Sequence, residues 1–177
     1  MTRSRIAFIL LLSLFTLAAC SKSARTPASE SAARNLPEST RIASVDVVKA
    51  TTQPVDLAVG STAEATVHLI IQSGYHINAN PPTYTYLKAT ELEVPASEGI
   101  SVGFITYPNP ITKQFSFADK PLAVYEGETP LKIMLKADKS LKKSERSLAA
   151  KLRVQACDDQ VCYPPGVLDL SIPVRIK

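Results

Sequence analysis

Leu148-Ala-Ala-Lys-Leu-Arg-Val-Gln155 and Val167-Leu-Asp-Leu-Ser-Ile-Pro-Val-Arg-Ile176 flank one short polar run, and their alternation decides the fold. Lys151 and Arg153 in the first stretch, and Asp169, Ser171 and Arg175 in the second, fall at every other position between apolar residues. A period of two turns successive side chains to opposite faces, so each stretch reads as a strand with one buried face. Working outward, Leu131-Lys-Ile-Met-Leu-Lys-Ala137 repeats the pattern with Lys132 and Lys136 facing out. Ala63-Glu-Ala-Thr-Val-His-Leu-Ile-Ile-Gln72 begins with small residues alternating with polar ones, then turns uniformly apolar, with His68 on its outward face. Further strands are expected near 45–52, 89–95, 101–107 and 122–126. Breaks at Gly60-Ser61, Asn80-Pro81-Pro82, Pro108-Asn109-Pro110 and Glu126-Gly127-Glu128 separate them. Many short strands with such turns predict an all-β sandwich. Only 140–147 departs from this, with Lys142-Lys-Ser-Glu-Arg146 reading as a solvated loop or at most one helical turn.

The N-terminus carries a different signal. Arg3 and Arg5 precede an apolar run from Ile6 to Leu17, the layout of a secretory signal peptide. The run is shorter than the ~20 apolar residues that span a bilayer. It ends Leu17-Ala18-Ala19-Cys20, which resembles the lipobox of bacterial lipoproteins and implies that Cys20 is lipidated. Several acyl chains would hold the protein firmly, since one chain alone binds only marginally. Ser21, by resemblance to proteobacterial sorting signals, favours the outer membrane. The expected division is a signal peptide over 1–19, the lipidated cysteine and a flexible Ser/Ala/Pro-rich tether over 20–41, and the β-domain over 42–177. The chain carries a net charge of +4, but removing Arg3 and Arg5 from its 20 basic residues leaves 18 against 16 acidic ones, or +2. Such a balance is not a nucleic-acid footprint.

With Cys20 claimed, the chain keeps one cysteine pair, in Gln155-Ala-Cys-Asp-Asp-Gln-Val-Cys-Tyr-Pro-Pro165. Three readings of Cys157 and Cys162 stand side by side. As a staple, so short a loop contributes only about 2 kcal/mol in the chain-entropy picture. As a redox couple, Cys157 closes one strand, Asp158-Asp159-Gln160 turns the chain, and Cys162 opens the return. Tyr163-Pro164-Pro165 then holds the backbone extended, because proline fixes φ and offers no N–H. Asp158 and Asp159 disfavour a thiolate, and there is no helix N-terminus to lower the thiol pKa, so the couple would exchange slowly unless a partner supplies the reactive sulfur. As a metal site, the two cysteines with His68 and His76 could hold copper or zinc, but the spacing matches no standard zinc site, and no bound cofactor or metal is expected.

The Gln155–Pro165 run resembles the cysteine motif of the N-terminal periplasmic domain of DsbD, the thiol:disulfide interchange protein, and of related disulfide-bond-corrector domains. Gly74-Tyr-His-Ile-Asn-Ala-Asn-Pro-Pro82, Tyr107-Pro108 and Leu122-Ala-Val-Tyr-Glu-Gly127 are similar to that family's other landmarks, so the likeness covers most of 60–177. The resemblance implies an immunoglobulin-like β-sandwich acting as a thiol–disulfide oxidoreductase or electron-relay domain. It would take reducing equivalents from a membrane thiol transporter of the DsbD or CcdA kind and pass them to periplasmic thioredoxin-like proteins. It assigns Cys162 as the exchange thiol and Cys157 as the resolving one. It also implies a mobile aromatic cap over the sulfurs, for which Phe115 or Phe117 in Lys113-Gln-Phe-Ser-Phe117 is the matching residue, ordinary core packing being the alternative for both. The spacer here holds four residues where the best-known DsbD domains have five. The expected protein is a monomeric, standalone lipoprotein in the cell envelope that meets its donor in trans. A non-catalytic envelope lipoprotein with a structural Cys157–Cys162 bond is the competing expectation.

His76 is a candidate base or ligand near the sulfurs, with a partly buried structural histidine in a loop as the plainer reading. Tyr84 and Tyr86 are expected on a loop, packing the domain edge or touching a partner.

Overall fold

A computed structural model describes residues 42–177, so the expectations for the signal segment, Cys20 and the tether lie outside the described residues. The strands are β1 (Val48–Thr52), β2 (Val55–Leu57), β3 (Thr62–Ile71), β4 (His76–Asn78), β5 (Glu91–Glu93) and β6 (Ile100–Thr106). They continue with β7 (Ile111–Lys113), β8 (Leu122–Tyr125), β9 (Glu128–Ala137), β10 (Ser144–Val154), β11 (Ala156–Cys157) and β12 (Gly166–Ile176). No helix occurs among the described residues.

The strands form a sheet β1-β3-β9-β6, a second β2-β12-β10-β5, and a small third sheet β11-β4-β8-β7. Val67, Leu69, Leu131, Ile133 and Leu135 of the first sheet share one buried cluster with Leu57, Leu148, Leu152, Ile172 and Val174 of the second. Two sheets, antiparallel except for the parallel β2–β12 pair, closed on one apolar layer make the expected all-β, immunoglobulin-like sandwich. The β3–β9 register sets Ala63 opposite Leu135, Ala65 opposite Ile133 and Val67 opposite Leu131, so small side chains face large ones. Lys132, Lys136, Lys151, Arg153, Asp169, Ser171 and Arg175 are all exposed, and so is His68.

The 140–147 stretch corrects the sequence reading. β10 begins at Ser144 and pairs with β12 without interruption from Ser144↔Ile176 to Val154↔Gly166. Ladder pairing rather than burial extends this strand, for Glu145 is exposed and Arg146 donates to the Glu98 carbonyl at 2.7 Å. The strands that sequence periodicity missed, β2, β4, β7 and β11, are two or three residues long, too short to show a period. In β6 two residues, Gly103 and Phe104, oppose Met134 between the pairs Val102↔Leu135 and Ile105↔Ile133. This bulge turns Phe104 outward, where it is 75% exposed.

Two junctions connect the main sheets with the third sheet, where the cysteines lie. At Gln155 the chain leaves β10, paired with β5 and β12, and enters β11, paired with β4. Cys157 therefore closes a separate two-residue strand, not the long strand expected from Leu148 onward. At Gly127 the chain leaves β8 for β9 with φ of 58°, a left-handed conformation that glycine adopts without cost. Its carbonyl accepts from the Ile71 amide at 2.9 Å, joining that turn to the end of β3.

Candidate active site

Cys157 and Cys162 are bonded, with Cα atoms 3.9 Å apart. They sit directly opposite each other in a tight antiparallel hairpin, flanked by Tyr163 N–H to Ala156 O (2.8 Å) and Asp158 N–H to Val161 O (3.0 Å). The turn is built by Asp158, whose Oδ1 accepts from the amides of Gln160 (2.7 Å) and Val161 (2.8 Å). Asp158 Oδ2 accepts from the Tyr163 hydroxyl. That bond, with the two amides, holds the Asp158 carboxyl below the usual carboxylate range and pushes the Tyr163 phenol up to about 12. The aspartate expected as a turn former thus fills that role and keeps its charge beside the sulfurs.

The hairpin stem is fastened from two directions. Ser44, fully buried, donates to Pro164 O at 2.6 Å and accepts from the Ala156 amide at 2.9 Å, bridging both legs of the hairpin. Gln155 Oε1 accepts from Asn78 Nδ2 (3.0 Å) and the Lys88 amide (2.7 Å), and its Nε2 donates to Tyr163 O (3.1 Å). The two sulfurs differ in setting. Cys157 is fully buried, whereas Cys162 is half-buried and packs on a small cluster of Leu87, Phe115, Leu122 and Val124.

The 113–118 segment lies across this cluster. Phe115 is 3% exposed and stacks on the His76 ring, centroids 4.1 Å apart, and on Phe117 at 5.3 Å. Phe117 is 40% exposed and lines a pocket of about 220 Å3 with Tyr86, Leu87, Leu122, Val161 and Cys162. The two phenylalanines offered as equal by the sequence are therefore unlike: one is an anchor, the other a wall beside the half-buried Cys162. The segment is also tied to the hairpin tip by Ser116 Oγ–H to Asp159 O (3.1 Å) and by Lys113 to Asp159 at 3.6 Å. Lys113 pairs more closely with Glu126, at 2.9 Å, and this bond raises its pKa. Gln114 Nε2 donates to the Phe115 and Ala118 carbonyls, closing the turn on itself.

His76 corrects its plainer reading. It lies in a strand, not a loop, and is fully buried instead of partly so. Its Cα partner across β4–β11 is Cys157. Neither ring nitrogen has a protein hydrogen-bond partner. Burial, reinforced by Lys113, holds the imidazole below its ordinary pKa against the opposing pull of Glu126, Asp159 and Asp158. Tyr84 and Tyr86 stack on each other at 5.1 Å, Tyr84 against the small cluster and Tyr86 at the pocket rim. His68 lies on β3, in a different sheet from the cysteine hairpin. Among the described residues no group of three or more His, Cys, Asp or Glu is placed to hold a metal.

The sequence model of the family described as thiol:disulfide interchange protein DsbD, N-terminal, matches residues 45–170. The chain belongs to that family. Similar solved structures include the N-terminal domain of DsbD from Neisseria meningitidis in the reduced form, 16% identical over 64% of this chain and 84% of that one, with a TM-score of 0.40. The N-terminal periplasmic domain of ScsB from Proteus mirabilis is 17% identical over 71% of this chain, with a TM-score of 0.46. This chain spans 44% of the ScsB one. No curated protein matches.

As a DsbD N-terminal family domain, the protein keeps its cysteine pair in a hairpin whose fastenings the sequence did not announce. Ser44 is a lone serine more than a hundred residues from both of its partners, and no local pattern marks it. Lys113, Ser116 and Gln114 fall inside the stretch singled out for its aromatics, so proximity in sequence was the available signal. For Gln155 the signal was its place at the end of an alternating strand, where a neutral amide can serve three backbone and side-chain groups at once.

Proposed function

We propose that this domain relays reducing equivalents by dithiol–disulfide exchange through Cys157 and Cys162. The observation that carries the reading is the asymmetry of the bond: Cys162 borders an apolar pocket at the surface while Cys157 is buried behind it. Exchange begins when a thiolate attacks a sulfur it can reach, so Cys162 is the exchange thiol and Cys157 the resolving one. Tyr86, Phe117 and Val161 are the solvent-facing rim that a thioredoxin-like partner would cover; Tyr86 is 70% and Val161 49% exposed. Phe117 is the cap residue over Cys162, and Phe115 pins the segment that carries it.

In this reading a membrane thiol transporter reduces the domain and periplasmic thioredoxin-like proteins oxidise it. The protein works as a monomer tethered in the cell envelope through lipidated Cys20, on the outer membrane if Ser21 acts as a sorting residue. The test is trapping. Cys157→Ala should accumulate a covalent adduct with a thioredoxin-like protein through Cys162, and Cys162→Ala should not. A folded Cys157→Ala protein that traps nothing, with a reduction potential below about −300 mV for the native bond, leaves a structural staple instead.

A further inference from the structure

Buried polar groups in native proteins almost always have partners, and each exception calls for an explanation. The described residues hold only two such side chains, His76 with both ring nitrogens and Asn78 with its Oδ1. Asn78 still uses its amide nitrogen, whereas the fully buried His76 uses neither nitrogen. His76 is also the residue directly opposite Cys157. Directly opposed residues of an antiparallel pair point to the same face, with Cβ atoms about 4.5–5.5 Å apart. In the disulfide the Cys157 sulfur carries no proton, and the imidazole has nothing to accept. Opening the bond changes that, because a thiol is a donor and a neutral imidazole nitrogen is its acceptor.

We infer that His76 is the base for Cys157, idle in the disulfide form and engaged once the bond is open. The inference rests on the relay reading for its purpose. In the step that closes the bond, the Cys157 thiol gives its proton to the imidazole. The sulfur's electron pair then attacks Cys162, held in a mixed disulfide with a thioredoxin-like partner. The Cys162–partner bond breaks and the partner sulfur leaves as a thiolate, to be protonated from water. Two cysteines of this chain are oxidised to a disulfide and the partner's disulfide is reduced to a dithiol. In the reverse direction the protonated ring returns its proton to Cys157 as that sulfur leaves. The groups facing the ring from the packed elements are Lys113 at the end of β7, Glu126 after β8, and Asp158 and Asp159 in the hairpin turn. Burial keeps the resting imidazole neutral, the form that accepts a proton. The three carboxylates favour the imidazolium that forms next. Phe115, stacked on the ring, fixes its plane, so the base and the cap segment are one packed unit.

The test uses two variants and one wild-type measurement. His76→Phe keeps an aromatic ring under Phe115 and removes both nitrogens; His76→Gln restores an acceptor. The Cys157 thiol is titrated in the chemically reduced protein by labelled-cysteine NMR. Ring closure onto Cys162 is timed as a function of pH, starting from a mixed disulfide with a small aromatic thiol. His76→Phe should raise the Cys157 pKa by about one unit, slow closure about tenfold at pH 7 and shift the rate profile to higher pH, and His76→Gln, whose amide accepts a hydrogen bond but cannot take up a proton, should not rescue the rate. An unchanged profile overturns the inference. Should His76→Phe fail to fold, the wild-type imidazole nitrogen shifts decide: they must differ between disulfide and dithiol forms, and identical shifts overturn it. These readouts need no thioredoxin-like protein, so a domain that traps no partner yet shows linked His76 and Cys157 titrations loses the relay and keeps the base.

Discussion

Phe115→Ala should open the cysteine site before it unfolds the domain. Three kinds of contact hold the 113–118 segment over the hairpin, and their sizes differ. Burying a phenylalanine contributes about 1.5–3 kcal/mol, and each aromatic stack adds about 0.5–1.5. The Ser116 hydrogen bond is exposed and lies within the usual net range of about 0.5–1.5 kcal/mol. The Lys113–Asp159 contact involves side chains 39% and 71% exposed, where ion pairs contribute about 0.2–1 kcal/mol. Phe115 therefore dominates closure. Burial and the two stacks sum to about 2.5–6 kcal/mol, and losing even about 2.5–3 kcal/mol of local stability raises the open population about 60- to 140-fold, since 1.4 kcal/mol is a factor of ten. The assay is the rate at which a bulky dithiol reduces Cys157–Cys162 in the native protein, with the unfolded fraction followed by circular dichroism. Leu135→Ala is the control, because Leu135 is fully buried in the main core and is no part of the small cluster. Phe115→Ala should accelerate reduction by tens of fold while Leu135→Ala, at similar or greater global cost, does not. Equal acceleration in the two variants would show that reduction follows global loosening, and the anchoring role would be refuted.

Two further perturbations test the hairpin itself. Ser44→Ala leaves the buried Ala156 amide and the Pro164 carbonyl without their shared partner, which should cost about 1–3 kcal/mol in chemical denaturation with the slope unchanged. A loss below about 0.5 kcal/mol would mean the two groups find other partners. Asp158→Asn keeps an oxygen for the two turn amides but removes the charge that holds the Tyr163 phenol at about 12. Ultraviolet titration should show one tyrosine falling from about 12 towards the ordinary value near 10. Because the folded-state phenol pKa is raised, its stabilisation is complete below about 10 and lost as pH rises through about 12. The Asp158 carboxyl is depressed, so its share is present above about 3.9, the ordinary carboxyl value, and fades as pH falls through the lower folded value. Thermal unfolding followed against pH should therefore lose both dependences in Asp158→Asn.

The long strands were legible because each buries one face: Lys132, Lys136, Lys151, Arg153 and Arg175 mark the outer side of β9, β10 and β12 in the sequence itself. The start of β10 was not legible. Ser144 to Ser147 is held by partners on β12 and by the Glu98 carbonyl, and such partners are invisible in a local window. The cysteine pair and its turn were legible because proline, aspartate and spacing are local chemistry. Phe115 and Phe117 were not separable, since two positions apart on an extended chain they would share a face. The turn closed by Ala118 N–H to Phe115 O at 3.2 Å breaks that extension and sends one ring inward and the other to the rim. His76 was read as a loop residue because its strand has three members and gains its identity only by pairing with β8 and β11.

A redox cysteine in a helical protein is commonly tuned by a helix N-terminus, and this domain has no helix among its described residues. Its geometry supplies a different means of making two equivalent thiols unequal. An antiparallel hairpin sets its two cysteines side by side, so nothing in the hairpin alone distinguishes them. The distinction comes from what each leg meets. The first leg pairs with β4 and is buried beside His76; the second precedes β12, has no strand beyond it at Cys162, and packs there on the small apolar cluster beside the pocket. In the proposed relay, one sulfur thereby gains a base and the other an approach. On that proposal the negative charge of Asp158 and Asp159 beside the sulfurs would suppress idle exchange and leave reactivity to be supplied by the partner's own sulfur. In such a relay sheet topology, not acidity, would set the order of attack, and acidity would enter only at the second step.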